Sequence, residues 1–292
     1  MPSGDPDGAG ITSRDRVIYP DSGQTKGDLA DYYSAIAPLM LPFASRRPIS
    51  LVRCPEGRAK KCFYQRHDTG GFGPHVFKLP IAEKDGSIDD YLYVEDAAGL
   101  LACVQMGTIE FHGWCALGDD VEHPDRMVFD LDPAEGLGFA DVKNAAIGIR
   151  DLLAYLGLES FAMLTGGKGV HVVVPLNPGH SWEQHKSFAK GLAEALAREE
   201  PGRFVATMSK AKRKGRIFID WLRNQRGNTA VMPYSARAHA NAPVAAPVAW
   251  AELVETASSH RFSISDAGTL VERARSKPLA GWGVADQALP TG

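Results

Sequence analysis

The sequence predicts an α+β (α/β) protein of two lobes, with a split βαβ sheet in its C-terminal half. Three observations carry this. The run Met127-Val-Phe-Asp-Leu-Asp-Pro133 alternates as a strand does, with Met127, Phe129 and Leu131 on one face and Val128, Asp130 and Asp132 on the other. The apolar period after it changes in the order strand, helix, strand, strand, helix, strand. The N-terminal half shows one helical stretch, followed by short β-rich runs between turns.

Residues 1–16 read as a disordered tail. The opening Met1-Pro-Ser-Gly-Asp-Pro-Asp-Gly-Ala-Gly10 holds no basic-then-apolar signal peptide, which points to a cytoplasmic location. Residues 17–292 form a single domain in three parts. In the N-terminal lobe, 17–125, Leu29, Tyr32, Tyr33 and Ile36 place a helix over 28–40. Runs such as Ser50-Leu-Val-Arg-Cys54 and His75-Val-Phe-Lys-Leu79 then alternate with turns such as Lys84-Asp-Gly-Ser87. A cleft is expected between the lobes. In the catalytic module, 126–236, strand 127–132 is followed by a helix carrying Val142, Ala145, Ala146, Ile149, Leu152, Leu153 and Leu156. A short apolar run at 160–164, strand 170–174, a helix carrying Trp182, His185, Phe188, Ala189, Leu192, Ala193 and Leu196, and strand 216–222 complete it. Residues 237–250 read as an Ala/Pro-rich extended connection opening a C-terminal extension, 237–292, that packs back.

The strand order β-α-β-β-α-β is that of ferredoxin-like and RNA-recognition folds. There the first and third strands are central and the fourth pairs with the first. Asp220 then lies beside Asp130 and Asp132, and three carboxylates share an open sheet face. Like charges this close repel, and a divalent cation removes the repulsion. Oxygen ligands suit Mg²⁺ or Mn²⁺, and paired carboxylates holding two such ions serve phosphoryl and nucleotidyl transfer. The plain alternative is an edge strand with solvated acids.

Composition sets bounds. The chain has 292 residues, 44% hydrophobic and 23% charged, with no apolar run long enough to span a membrane. A net charge of −3 argues against nucleic acid covering the whole surface. The charge is segregated, however. Between 46 and 66 stand Arg46, Arg47, Arg53, Arg58, Lys60, Lys61 and Arg66 against Glu56 alone. Between 203 and 237 nine basic residues, among them Lys210, Lys212, Arg213, Arg223 and Arg237, face only Asp220. Such stripes suit a polyanion in a groove, or else are solvated faces. The cysteines Cys54, Cys62, Cys103 and Cys115 form no C-x-x-C pair. Reduced, partly buried thiols are expected, without structural zinc.

Thr165-Gly-Gly-Lys-Gly-Val-His171 carries further chemistry. Glycines in a tight hairpin let backbone N–H groups approach an anion. Thr165 adds a hydroxyl, Lys168 a cation for a triphosphate, and His171 a donor to phosphate or sugar oxygens. The spacing is not that of a P-loop. A plain glycine hairpin with a core histidine is the alternative.

Taken together, the chain resembles the archaeo-eukaryotic primase superfamily, and within it the primase-polymerase domain of bacterial ligase D, which acts in non-homologous end joining. The resemblance rests on Asp130-Leu-Asp132-Pro, the 165–171 hairpin, Phe218-Ile-Asp220-Trp-Leu-Arg-Asn224 and Tyr234-Ser-Ala-Arg237, with Val17-Ile-Tyr-Pro20 and Ile109-Glu-Phe-His-Gly-Trp114 in support. It implies a two-lobed primase-polymerase fold. It implies that Asp130, Asp132 and Asp220 hold metal, and that His112 is needed near the nucleotide. Thr165, where the family often has Ser, Lys168, His171, Arg237 and Arg223 are the implied nucleotide-binding set. On the DNA side it implies Phe63 and Tyr64 against the templating base, Arg53 in the 46–66 stripe, Lys26 at a 5′-phosphate, and Arg213 in a flexible basic loop that positions primer and metal.

The implied activity is template-directed addition of NTP or dNTP, ribonucleotides in preference, to primer 3′ ends at gaps and breaks. Two ions, Mn²⁺ in preference to Mg²⁺, are the implied cofactors. Partners implied are 5′-phosphorylated DNA, the ligase and phosphoesterase domains of ligase D, and Ku, in a nucleoid-associated setting and without a membrane. No zinc motif of the cellular primases is visible. Two rivals remain: a nuclease or cyclase on a similar sheet, for which the glycine hairpin has no obvious use, and a non-catalytic RNA-recognition module, whose central strands carry aromatics where this chain has aspartates.

Overall fold

The computed structural model describes residues 10–83, 85–209, 211 and 213–290. Two compact units exchange segments of chain. The first comprises residues up to Gly113, Val231–Ala245 and Phe262–Arg275, and the second Trp114–Ala230, Ala246–Arg261 and the residues from Ser276 onward. The first boundary thus falls at 113/114, and the 237–292 segment is shared between the units.

In the first unit, β1 (Val17–Tyr19) and β2 (Gln24–Thr25) pair ahead of α1 (Lys26–Ala44). Thr25 opens α1 with a capping box: its hydroxyl accepts from Asp28 N, and the Asp28 carboxylate accepts from Thr25 N. The helix runs past Pro38 and Pro42 and buries Leu29, Tyr32, Tyr33, Ile36 and Met40. Strands β3 (Ile49–Arg53), β4 (Phe63–Gln65), β5 (Val76–Ala82), β6 (Ile88–Val94) and β7 (Thr108–Gly113) form an antiparallel sheet, with α2 (Ala97–Gln105) before β7. Its order is β7-β3-β6-β5, and β4 also pairs with β3. The Tyr33 ring packs 5.0 Å from Phe111, and its hydroxyl donates to Ile109 O, tying α1 to β7.

The expected tail needs revision from residue 10 onward, while 1–9 lie outside the described residues. Ile11 is buried, and Thr12 is bound by Gln105. The expectation that all four cysteines are reduced is corrected as well. Cys54 and Cys62 form a disulfide. Arg53 and Phe63 are partners across β3 and β4, which sets the two following and preceding cysteines close together. Cys103 and Cys115 are buried and lie outside this bond.

The second unit holds β8 (Arg126–Pro133), α3 (Phe139–Tyr155), β9 (Phe161–Leu164), β10 (Val170–Pro175), α4 (Trp182–Glu199), β11 (Phe204–Val205) and β12 (Ile217–Asp220). The two-residue β13 (Ala230–Val231) lies where the chain passes to the first unit, and β14 (Ala246–Val248) and α5 (Trp250–Glu255) belong again to the second. The last helix, α6 (Ala267–Ala274), is in the first. The sheet order is β11-β12-β8-β10-β9-β14. The expected four-strand core, with β8 and β10 central and β12 beside β8, is present, widened by short edge strands that were not foreseen. Met127, Phe129 and Leu131 are fully buried, as the odd set of β8 should be. The stretch after Lys277 is held in place: Trp282 Nε1 donates to Ala162 O, and the Gln287 amide pairs with Glu159 and Pro175. Among the described residues no helix is long and apolar enough to cross a membrane.

Candidate active site

Register alone builds the centre of the second unit. His171 on β10 faces Asp130 on β8, and Asp130 faces Asp220 on β12. Directly opposed residues of antiparallel strands share a face, so the three stand in one row. Asp132, two residues along β8, is on the same side. His171 Nε2 lies 3.3 Å from Asp130 Oδ1. Chain past β12 turns through the 3-10 segment Trp221–Asn224 and brings Arg223 back over the row. Its guanidinium is 3.0 Å from Asp130 and 3.3 Å from Asp220.

These groups do not share charge evenly. Burial opposes ionisation of Asp130, but His171 and Arg223 outweigh it and hold its carboxyl below the usual range. Asp132 has no such partner. Desolvation first, and then repulsion from Asp130 and Asp220, push it up to about 6. Asp220 is raised too, chiefly by desolvation, with Arg223 opposing. A set of oxygen donors in excess of its protein cations fits Mg²⁺ or Mn²⁺ chemically. Among the described residues, however, no three His, Cys, Asp or Glu side chains stand ready as an ion cage. Arg223 supplies the positive charge there.

The 165–171 hairpin borders this row. Gly166 takes the left-handed φ of +65° that closes the turn. A Cβ on Gly169 would come within 2.5 Å of Leu131 O, so only glycine lets the hairpin lie on β8. The Thr165 hydroxyl is turned inward. It donates to Gly169 O (3.0 Å) and accepts from the N–H groups of Gly167 and Gly169. Ser259 Oγ donates to the same carbonyl at 2.8 Å. Lys168 stands exposed at the tip with no carboxylate partner among the described residues. It lines an open pocket of about 180 Å³ with Gly167, Ser258, Ser259 and His260, closed on the other side by Pro133, Leu137 and Phe139.

Other site candidates of this unit sit nearby in sequence. Arg213 lies 3.5 Å over the Phe218 ring and donates to Met208 O. Its neighbours Lys210 and Lys212 lie outside the described residues.

The first unit holds a second constellation. Glu110 and His112 are two apart on β7 and share a face. His112 Nε2 is 2.7 Å from Glu110 Oε2, and Arg237 Nε donates to the same oxygen at 3.1 Å. Ala238 N donates to Glu110 Oε1 at 2.7 Å. Burial alone would raise the Glu110 pKa, but these donors hold it down to about 2. The Tyr64 ring meets His112 edge-on with centroids 5.7 Å apart. Phe63 and Tyr64 are exposed, at 41% and 66%, on a strand where large aromatics would otherwise be covered. Arg53 lies 5.4 Å from the Phe63 centroid and donates to Met106 O. Lys26, far from being solvated, is only 4% exposed. Its ammonium donates to Thr12 O and Gln105 Oε1, and burial, with Arg16 adding to it, lowers its pKa.

Three contributors escaped the sequence reading. Glu110 was legible in principle, because Glu-x-His on a strand puts both side chains on one face. Asn224, whose side chain accepts from Val128 N and donates to Val128 O, and Ser259 act across long separations that no local pattern reveals.

A family model described as "LigD, primase-polymerase domain" matches residues 25–279. The chain belongs to this family. It is 38% identical to the multifunctional non-homologous end joining protein LigD of Pseudomonas aeruginosa, over 88% of this chain and 30% of that protein. The LigD of Bacillus subtilis is 28% identical, over 90% of this chain and 42% of that protein. The chain therefore spans about a third of the length of such LigD relatives. Among solved structures, the one described as "Polymerase Domain from Mycobacterium tuberculosis Ligase D in complex with DNA" matches at a TM-score of 0.83 and 32% identity, covering 90% of this chain and 94% of that one. The LigD primase-polymerase family accounts for the mixed α/β architecture and its several sheets.

Proposed function

We propose that the chain is a template-directed nucleotidyltransferase. It adds nucleotides, ribonucleotides in preference, to primer 3′ ends at gaps and broken DNA ends. The observation that carries this reading is the row His171–Asp130–Asp220, with Asp132 beside it, next to a glycine hairpin whose tip offers an exposed lysine. Divalent ions bound to those carboxylates would lower the pKa of the primer 3′-hydroxyl and neutralise departing pyrophosphate. Asp130, Asp132 and Asp220 are the residues that would hold them. Lys168 would bind the phosphate tail, Thr165 and Ser259 keeping the hairpin in shape. Arg223 balances Asp130 and Asp220, and would pass its charge to a phosphate once those acids are otherwise neutralised. Arg213 is assigned to the primer side. His112 and Arg237 are assigned to the nucleotide, and Phe63 and Tyr64 to the templating base, whose face any aromatic accepts.

The test is primer extension with labelled NTP or dNTP and Mn²⁺ or Mg²⁺. Extension that follows the template supports the reading. Binding without extension under any metal supports a recognition module instead, and strand shortening a nuclease.

Lys168→Ala and Arg237→Ala are expected to raise the nucleotide KM about tenfold or more, the worth of one charge-assisted contact, while leaving DNA affinity within about twofold. Lost DNA affinity with an unchanged KM in both variants contradicts the assignment.

Lys26 has only neutral acceptors and stands at the start of a nineteen-residue helix. A buried ammonium without a counter-charge gains from an anion, and a 5′-phosphate monoester carries more charge than a diester. Wild type is expected to prefer gapped DNA with a 5′-phosphate, and Lys26→Ala to lose most of that preference. Binding is compared at one salt concentration. Equal wild-type affinity for both DNAs removes the end-sensing role.

A further inference from the structure

We infer that Glu110 is a positioning residue that fixes the tautomer and ring of His112 and the guanidinium of Arg237 for nucleotide use. This rests on the proposed nucleotidyl transfer and extends it to a residue beyond the assigned set. Glu110 is 5% exposed, yet accepts from three donors: His112 Nε2, Arg237 Nε and Ala238 N. A carboxylate held ionised can only accept. A hydrogen of His112 must therefore be on Nε2, and whenever the ring is neutral Nδ1 is its basic nitrogen. The same Glu110 oxygen fixes the inner edge of Arg237. Arg237 and Ala238 come from a segment 127 and 128 residues further along the chain. One carboxylate thus ties that segment to β7 and presets two side chains at once. Groups that orient a histidine through its second nitrogen govern its chemistry without touching substrate.

Glu110→Gln tests this with little change of shape. An amide can satisfy only part of the arrangement. With its oxygen on Ala238 N, its NH₂ faces His112 and Arg237. Reversed, the NH₂ opposes Ala238 N. The ring ¹⁵N signals of His112, assigned against His112→Asn, are expected to show Nε2–H alone in wild type and a mixture of tautomers in Glu110→Gln. The kcat of nucleotide addition is expected to fall at least about tenfold. The spectra need no nucleotide, so they judge Glu110 even if extension fails and the polymerase reading with it. An Nδ1–H His112 in wild type overturns the inference, and this arm does not depend on the variant folding. So does a Glu110→Gln protein with an unchanged tautomer and kcat and KM within twofold of wild type.

Discussion

Asp132→Asn should raise the melting temperature above pH 6 and abolish nucleotide addition in the same protein. The two effects have one cause. Desolvation first, and then repulsion from Asp130 and Asp220, push the Asp132 carboxyl up to about 6, where an unfolded aspartate sits at about 4. Below the lower value both states are protonated and the crowding is not felt. Between the two values the folded state keeps a proton that the unfolded state has lost. Above 6 both are ionised, and the folded state alone carries the repulsion. An amide removes that penalty, so the stabilisation should be absent near pH 4, grow through this window and stay level above it. Asp132 is solvent-exposed, so water screens part of this penalty; the gain should stay at or below about 1 kcal/mol, which moves the midpoint by no more than about 2–4 °C. Metal-dependent addition needs the carboxylate, and a loss of about a hundredfold or more is expected. Asp220→Ala should lose activity comparably, and Asp130→Ala as well. Asp130→Ala should not be stabilising, because it strips His171 and Arg223 of their partner. Thermal melts from pH 4 to 8 beside extension assays check both halves. Normal extension by any of the three variants ends the metal assignment, and a pH-independent change in midpoint ends the electrostatic one.

This pairing of strain with chemistry explains which features the sequence disclosed. Alternation in β8 exposed its acidic face, because a strand has a fixed period of two and Asp130 and Asp132 break an otherwise apolar run. Topology then placed Asp220 opposite Asp130, since the order of periods admitted one common four-strand arrangement. Glycines marked the hairpin because the left-handed φ of Gly166 is a local demand, whereas the demand at Gly169 comes from Leu131 O on β8. The rest depends on contacts between distant segments. Thr165 reads as a ligand in isolation, yet its hydroxyl is spent on Gly169 O and two N–H groups. Lys26 is expected at a 5′-phosphate by resemblance, but no local pattern tells that Thr12 and Gln105 cover it. Arg223 is expected among the nucleotide-binding residues by resemblance, but its pairing with Asp130 and Asp220 depends on the turn after β12. The Cys54–Cys62 bond depends on β3 and β4 pairing, which spacing alone does not announce.

Gly169→Ala should damage nucleotide use and stability together, and more than loss of any single hydrogen bond at the hairpin. A methyl group at this position meets Leu131 O at 2.5 Å, a backbone atom of the central strand that also bears Asp130 and Asp132. It has no rotamer to escape into, so the hairpin must lift from β8. Lifting pulls Gly169 O away from Thr165 and Ser259 and carries Lys168 with it. Overpacking of this kind costs about 1–3 kcal/mol, and displaced phosphate contacts should raise the nucleotide KM by about tenfold or more. Ser259→Ala is the comparison. It removes the 2.8 Å bond to Gly169 O but leaves Thr165 as a donor to it, at a cost of about 1 kcal/mol. DNA affinity should be unchanged in both, since neither touches the 46–66 stripe. If Gly169→Ala melts with wild type and keeps its KM, the hairpin does not depend on its seat against β8. The phosphate tail must then be held elsewhere.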